Sequence, residues 1–283
     1  MSPVTLALPP APWHYRGMRL VATPTALAAM AVLAWSNLAP ARNYPALGPR
    51  YAGRFRRGRG GPRLRVVTFN LQFSREVDRA IALFGSDAEL READLVLLQE
   101  MDAPGVDRLA SALGYDYVYY PAAFHPRGGK DFGNGIMVRG HILADHKVLL
   151  PFPSRSRGLQ RIAVAADVEV GGHRLRVYNV HLETPAEIWP WQRRQQVEAV
   201  LADCDGVTAP IVIAGDFNDR EVVGAQLQEN GFQWLSRAAR RTVGPFAWDH
   251  VFVRGIQPQA GRSGVVRDNL RASDHRPVWA ELL

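Results

Sequence analysis

Short apolar runs, rich in Val, Ile and Tyr, recur along most of the chain and are separated by polar stretches. Each run is bounded by Gly, Pro or charged residues, a pattern that predicts β-strands. The predicted strands occupy residues 64–71, 94–100, 115–121, 133–140, 161–170, 173–182, 210–218, 249–255 and 276–283. Residues 168–178 predict a hairpin that turns at Gly171 and Gly172.

Apolar residues at helical spacing predict helices between some of these strands, over residues 77–84, 103–113, 188–201 and 221–229. Many of the strands are apolar at successive positions, so both of their faces need cover. Two sheets packed face to face, with the helices outside, meet that requirement.

The N-terminal part differs from the rest in charge. Residues 1–62 contain eight arginines and no Asp, Glu or Lys, so residues 63–283 carry only −1 of the chain's net charge of +7. The nearly neutral body weakens the nucleic-acid interpretation that a basic chain otherwise suggests. Residues 42–63 are rich in Arg, Gly and Pro, and we expect them to form a linker.

Residues 20–35 carry no charge, follow Arg16 and Arg19, and precede the small residues Ala39 and Ala41. This order is typical of an export signal. We therefore expect residues 1–41 to be a signal peptide, with an uncleaved N-terminal membrane anchor as the alternative. Either reading places the protein in the periplasm, outside the cell or at a membrane. A non-targeting tail, and with it a cytoplasmic location, is the less favoured alternative.

Polar side chains mark the ends of the predicted strands. They are Asn70, Glu100, His181, Asp216 and Asn218, with Asp249 before a strand and Asp274 and His275 before the last one. A single Asp beside a strand usually caps a turn. Burying this many polar groups costs free energy unless they pair with one another or bind a ligand.

The chemistry of these groups limits the kinds of ligand that they could bind. Carboxylates and amides without cysteine suit a hard cation, Mg²⁺ or Mn²⁺. Two histidines beside carboxylates suit a phosphoryl group and proton transfer. Neither a Gly-rich phosphate loop nor a Ser nucleophile motif accompanies them. The pattern indicates metal-assisted attack of water on a phosphate ester.

The motifs "TFN", "LLQE", "HLE", "GDFN" and "SDHRPV" follow one another in residues 64–283. In this order they resemble the endonuclease/exonuclease/phosphatase superfamily, which has the deoxyribonuclease-I-like fold. The resemblance implies that residues 64–283 are the catalytic domain. The implied fold is an α/β four-layer sandwich, in which two packed mixed β-sheets are flanked by helices and the site lies at the sheet edge.

The resemblance also implies roles for the polar residues. Asn70 and Glu100 resemble the family's metal-binding pair, with Glu100 the principal ligand and Asp274 a further carboxylate of the metal site. The implied cofactor is Mg²⁺, with Mn²⁺ as the alternative.

The remaining five residues resemble the catalytic set. His181 corresponds to a histidine that contacts the scissile phosphate, and Asp216 to the residue that positions or deprotonates the attacking water. Asn218 resembles a neighbour that holds the phosphate or the nucleophile. His275 resembles the histidine that stabilises the phosphorus centre, and Asp249 its orienting partner.

The expected function is therefore that of a metal-dependent phosphoric-ester hydrolase, with a phosphodiesterase favoured. The expected partner is a phosphate-ester substrate, either nucleic acid or a phospholipid headgroup, and the N-terminal segment offers membrane association. A sphingomyelinase-like lipid phosphodiesterase and a phosphomonoesterase stay open, as does a non-catalytic binding module of the same fold. The sequence indicates no obligate protein partner.

Four further positions have a less specific signal. Arg161 opens a predicted strand, and we expect a surface or hairpin role, with phosphate contact as the alternative. His250, beside Asp249, is expected to be structural. Trp189 and Trp191 are expected to pack in the core, with lipid or base contact as the alternative.

Overall fold

The computed structural model describes residues 39–56, 64–126, 128–257 and 262–283. The predicted uncharged segment of residues 20–35 lies outside this part. Across the described residues, the helices are all too short or too polar to span a bilayer.

The described elements are strands and helices in mixed order. The strands are β1 (Arg42–Asn43), β2 (Tyr51–Arg54), β3 (Arg65–Asn70), β4 (Leu95–Met101), β5 (Asp116–His125), β6 (Lys130–Val138), β7 (His141–Leu149), β8 (Ile162–Val170), β9 (His173–His181), β10 (Ile211–Asp216), β11 (Gln233–Trp234), β12 (Asp249–Arg254), β13 (Ser263–Val265) and β14 (Val278–Glu281). The helices are α1 (Val77–Ser86), α2 (Ala88–Arg91), α3 (Ala103–Leu113), α4 (Pro190–Asp203) and α5 (Glu221–Glu229), and a short 3₁₀ turn covers Gln72–Ser74.

The strands form two mixed sheets. One has the order β1-β5-β6-β4-β3-β14-β13, with β2 also paired to β5, and the other has the order β11-β12-β10-β9-β8-β7. Pairs β3/β4 and β9/β10 are parallel, and the other pairs are antiparallel. The predicted hairpin at Gly171 and Gly172 is confirmed by the pairing of β8 with β9.

Successive residues of the inner strands belong to different layers of the core. Val66 and Leu97 lie in the core between the two sheets, whereas their neighbours Val67 and Leu98 pack under helices α1 to α3. A third core separates the second sheet from α4 and α5. Because strand side chains alternate between faces, a strand covered on both sides must be apolar throughout. The predicted α/β four-layer sandwich is confirmed.

Residues 42–56 differ from the expected linker. Their two short strands pair with β5, with Tyr51 opposite Tyr119, and the Phe55 ring stacks on Tyr117. Strand pairing at a sheet edge uses backbone hydrogen bonds, so an Arg- and Gly-rich sequence can take part once two aromatic rings anchor it. Residues 57–63 lie outside the described part.

A buried polar network joins the two sheets next to the strand ends. Gln99 Nε2 donates to Asn179 Oδ1 at 2.7 Å and to Thr68 Oγ1 at 3.0 Å. Asn179 Nδ2 in turn donates to the carbonyl oxygens of Leu98 at 2.8 Å and Gly135 at 2.7 Å. Gln99 precedes Glu100, and Asn179 lies two residues before His181. The network therefore fixes the relative position of two strands that carry site residues.

Replacing Asn179 tests the energetic weight of this network. We expect Asn179→Leu to lower the free energy of unfolding by about 3 kcal/mol, because several buried polar groups lose their partners. Urea unfolding followed by circular dichroism measures the loss. A decrease below about 1 kcal/mol would show that the two sheets do not depend on the network.

Candidate active site

Three neighbouring strands bring polar residues to one level of the second sheet. Asp216, the last residue of β10, is in register with His181 at the end of β9 and with Asp249 at the start of β12. Residues paired in register point to the same face of a sheet. The side chains of these three residues, which are far apart in sequence, therefore form one row at the sheet edge.

Asp216 lies at the centre of the cluster. Its Oδ2 accepts a hydrogen bond from Asn70 Nδ2 at 3.0 Å and lies 3.5 Å from His181 Nε2 and 3.7 Å from His275 Nε2. Its Oδ1 accepts from the backbone N–H of Asn218 at 2.9 Å. Burial, together with the charge of Asp249, outweighs the nearby His275 and raises the pKa of Asp216 to about 7.

His275 and Asp249 form a buried pair. His275 Nδ1 donates to Asp249 Oδ2 at 3.0 Å, and both side chains are almost fully buried. Burial alone would favour the neutral ring, but the carboxylates of Asp249 and Asp216 outweigh it and raise the pKa of His275 to about 10. The imidazole of His275 is therefore a cation at neutral pH. Its Nε2 faces Asp216.

His181, by contrast, is held as a neutral imidazole. Burial, and then the positive charges of Arg161 and His275, hold its pKa well below the ordinary value. Arg161 Nη1 lies 2.9 Å from Nε2 of the ring, and Arg161 Nη2 donates to Glu183 Oε1 at 3.0 Å. The site therefore places a neutral imidazole and a cationic one on either side of the Asp216 carboxylate.

Glu100 reaches the cluster from the first sheet through an irregularity in its strand. The pairing of β4 with β6 shifts register between Leu98 and Met101, and Glu100 has a positive φ of 57°. Its Oε1 lies 4.0 Å from His181 Nε2. A positive φ is costly for a residue with a side chain, and such conformations concentrate at functional sites.

Two more predicted residues flank the cluster. Asn218 also has a positive φ, of 48°, and its Nδ2 donates to the Leu182 carbonyl at 3.0 Å. Asp274 is exposed at the rim. Ser273 Oγ donates to the Asn70 carbonyl at 2.7 Å, which fixes the segment carrying Asp274 against the end of β3.

Three residues on the side of the first sheet, Asn70, Glu100 and Asp274, carry oxygen atoms of the type that bind a divalent cation. Burial, with a further contribution from Asp274, raises the pKa of Glu100, although Arg161, His275 and Asn70 oppose the shift. A cation between Glu100 and Asp274 would offset that cost, and carboxylate and amide oxygens are ligands that Mg²⁺ and Mn²⁺ accept. The side chains of Asn70 and Asp274 both interact with Glu100, and their oxygens are of the type that could hold a metal ion.

A second group could also hold a metal ion. Ligand atoms of Asp216, Asp249 and His275 lie within 4.8 Å of one another. Two of these side chains already hydrogen-bond to each other, and a protonated imidazole has no lone pair for a metal. This group is chemically better suited to proton transfer.

The structure confirms the expected role of His250 but not the expected packing of Trp189 and Trp191. His250 is structural as expected: its Nε2 lies 3.1 Å from the Asp219 carbonyl, and burial lowers its pKa to about 4. The core packing expected for Trp189 and Trp191 is wrong, since they are 57% and 53% exposed. Both rings lie where α4 begins, with Arg155 stacked over Trp189.

Arg161 is a site residue for which the sequence favoured another role, with phosphate contact only as the alternative. It is buried, contacts His181 and pairs with Glu183, so the expected surface role is wrong. Two features could have indicated it: Arg161 opens an apolar strand, and Glu183 follows the "HLE" histidine by two residues.

The sequence matches one family model over most of its length. The model of the endonuclease/exonuclease/phosphatase family matches residues 67–275. The chain therefore belongs to this family, whose members hydrolyse phosphoric esters. Among curated protein sequences, none matches the chain significantly.

Solved structures share the fold. A D. rerio TDP2 structure, complexed with a single-strand DNA product, has a TM-score of 0.61 at 20% identity and covers 77% of this chain and 98% of its own. A mannosyl-6-phosphatase of Bacteroides thetaiotaomicron has a TM-score of 0.60 at 20% identity, with coverages of 78% and 99%. A family protein from Beutenbergia cavernae has a TM-score of 0.61 at 23% identity, with coverages of 77% and 71%.

Proposed function

We propose that the protein is a divalent-cation-dependent hydrolase of phosphoric esters, and that it acts on phosphodiesters through direct attack by water. One observation carries the proposal. A single oxygen of Asp216 lies within 3.7 Å of both a neutral and a protonated imidazole, with the Asn70 amide at 3.0 Å. Pairs of titratable groups whose pKa values are driven apart mark acid and base roles.

The basic partner is Asp216. With a pKa of about 7, a substantial fraction of this carboxyl is ionised at neutral pH and can accept a proton from water. The backbone N–H of Asn218 fixes its other oxygen. Asp216 therefore orients and deprotonates the attacking water.

The acidic partner is His275. Its Nε2 carries a proton at neutral pH, because the Asp249 carboxylate holds the ring as a cation. A fixed donor of this kind stabilises the negative charge that develops on the phosphoryl oxygens. Neutral His181 and the cationic Arg161 behind it supply further donors for the same oxygens.

Asn70, Glu100 and Asp274 would hold the cation, Mg²⁺ or Mn²⁺. When bound, the cation neutralises charge on the phosphate and on the leaving oxygen. Glu100 also keeps a carboxylate at a fixed distance from His181, which positions that ring against the phosphate.

The cation site is tested by direct binding. We expect Glu100→Gln to weaken Mn²⁺ binding at least about tenfold, because it removes the principal anionic ligand. Electron paramagnetic resonance of free Mn²⁺ measures the affinity without substrate. Asp249→Asn is the matched control and should keep its Mn²⁺ affinity. The reverse pattern would place the cation on the Asp216–Asp249–His275 group.

The substrate preference is tested with paired aryl esters. We expect bis(p-nitrophenyl) phosphate to be hydrolysed faster than p-nitrophenyl phosphate, since Glu183 already neutralises the Arg161 cation beside His181, which weakens the attraction for the second negative charge of a monoester. Sphingomyelin vesicles form a third arm, because the exposed Trp189 and Trp191 suit a lipid interface. Faster monoester turnover would contradict the diesterase, and cleavage of sphingomyelin alone would make lipid the substrate.

A further inference from the structure

A basic cavity of about 620 Å³ lies beside the site, between edge strand β13 and the loop that precedes β12. Its lining includes four arginines and no carboxylate. The four are Arg240, Arg241, Arg267 and Arg276. None of them belongs to the set of residues to which the proposed hydrolysis assigns a role.

Within the described part of the chain, no ion pair balances the positive charge of this arginine cavity. Across the described residues, the four guanidinium groups form no ion pair with a carboxylate, whereas nearby Arg262 pairs with Glu281 at 3.1 Å. The residues of the sequence that lie outside the described part contain no Asp or Glu. Four uncompensated arginines around one concave space favour an anionic ligand.

Backbone carbonyls hold two of the four arginine side chains in place. Arg276 Nη1 donates to the Arg241 carbonyl at 2.8 Å, and Arg240 Nη1 donates to the Arg237 carbonyl at 2.8 Å. The Arg276 backbone N–H donates to the Thr242 carbonyl at 2.7 Å. Such contacts fix part of the Arg240 and Arg276 side chains before a ligand arrives, which lowers the entropic cost of binding.

The arginine cavity is adjacent to the reaction centre. Arg276 follows His275 directly, and consecutive Cα atoms are about 3.8 Å apart. Thr242 Oγ1 accepts from the Asp249 backbone N–H at 3.2 Å, and Val243 forms a β-bridge with His275. Two walls of the cavity, residues 238–241 and Arg276, are therefore close in sequence to residues that contact Asp249 and His275.

We propose that the arginine cavity binds a second phosphate group of the substrate, separate from the phosphate that is hydrolysed. This inference rests on the proposed phosphoesterase function and narrows it to substrates with at least two phosphates, of the nucleotide bisphosphate or oligonucleotide type. Arg donates planar, paired hydrogen bonds that match phosphate oxygens. A concave space suits a single group on a flexible substrate better than it suits a membrane surface.

Equilibrium binding in EDTA tests the arginine cavity separately from hydrolysis. The probes are thymidine 3′,5′-bisphosphate, thymidine 5′-monophosphate and inorganic phosphate, each titrated calorimetrically into the full chain. We expect the bisphosphate to bind about tenfold more tightly than the monophosphate. Arg241→Gln/Arg267→Gln should abolish that advantage. The charge-matched control Arg91→Gln/Arg108→Gln, on α2 and α3, should retain it.

Two binding results would overturn the proposal. One is an undiminished bisphosphate advantage in Arg241→Gln/Arg267→Gln, provided that its thermal unfolding midpoint matches that of the wild type. The other is equal affinity for the bisphosphate and the monophosphate with tight binding of inorganic phosphate, which would make this a site for the free ion.

Hydrolysis rates of two esters separate a failure of the second-phosphate site from a failure of the proposed hydrolase function. The substrates are thymidine 5′-(p-nitrophenyl phosphate) and the same ester with a 3′-phosphate. We expect Arg241→Gln/Arg267→Gln to raise KM about tenfold for the second ester alone, with kcat unchanged. If neither ester is hydrolysed but the binding difference persists, the proposed hydrolase function fails while the arginine site stands. A KM change shared by both esters would contradict a second-phosphate site.

Discussion

His275→Gln should lower kcat for bis(p-nitrophenyl) phosphate about a thousandfold. The substitution removes the cation that Asp249 maintains and the Nε2 donor that faces Asp216. Loss of one preorganised donor typically costs about 10²- to 10³-fold, and loss of proton transfer adds to it. The measurement is the initial rate of nitrophenolate release at saturating substrate, with Mg²⁺ and at neutral pH.

His250→Gln is the matched control for this result. His250 is also a buried imidazole and neighbours Asp249 in sequence, but its Nε2 contacts the Asp219 carbonyl outside the cluster. We expect its activity to stay within about threefold of the wild type. Equal losses in the two variants would show that the effect is structural and would remove His275 from the chemistry.

Asp216→Asn should be the other strongly impaired variant, with a loss of about 10³- to 10⁴-fold in kcat. The amide keeps the shape and can still accept from Asn70, but it cannot take a proton from water. Because burial raises the pKa of Asp216, a neutral side chain at this position should not destabilise the fold. We therefore expect an unchanged or higher unfolding midpoint in the same preparation.

Asp94→Asn controls for the loss of a buried carboxylate. Asp94 lies just before β4, at the end opposite Glu100, and its Oδ2 accepts from the Arg65 backbone N–H at 3.0 Å. We expect this variant to retain most of the activity. Residual activity above about one tenth in Asp216→Asn would contradict its role as the base.

The apolar pattern predicted most of the layered core, because strands covered on both faces leave a continuous signal. Helix α3 was found with its observed bounds, since Asp102 caps its start and Gly114 takes the left-handed conformation at its end. Strand β7 was not predicted. It lies at a sheet edge and much of it is solvent-exposed. Its sequence therefore contains polar residues and lacks the apolar run by which the other strands were predicted.

The candidate site was predictable as a set of residue types but not as a geometry. Strand-end positions identified Asp216 and His181, because both follow apolar runs. The bulge that directs Glu100 inward depends on pairing between β4 and β6, which the local sequence does not specify. The same holds for the contact of Gln99 with Asn179 across the sheets and for the gathering of the cavity arginines. Each of these depends on residues far apart in sequence.

The most direct test is the rate at which the full-length chain hydrolyses bis(p-nitrophenyl) phosphate with Mg²⁺, measured again after EDTA is added. We expect steady turnover that EDTA abolishes and that excess Mg²⁺ restores. Turnover that persists in EDTA, or no turnover at all with Mg²⁺ or Mn²⁺, would contradict a cation-dependent phosphodiesterase built around Asp216 and His275.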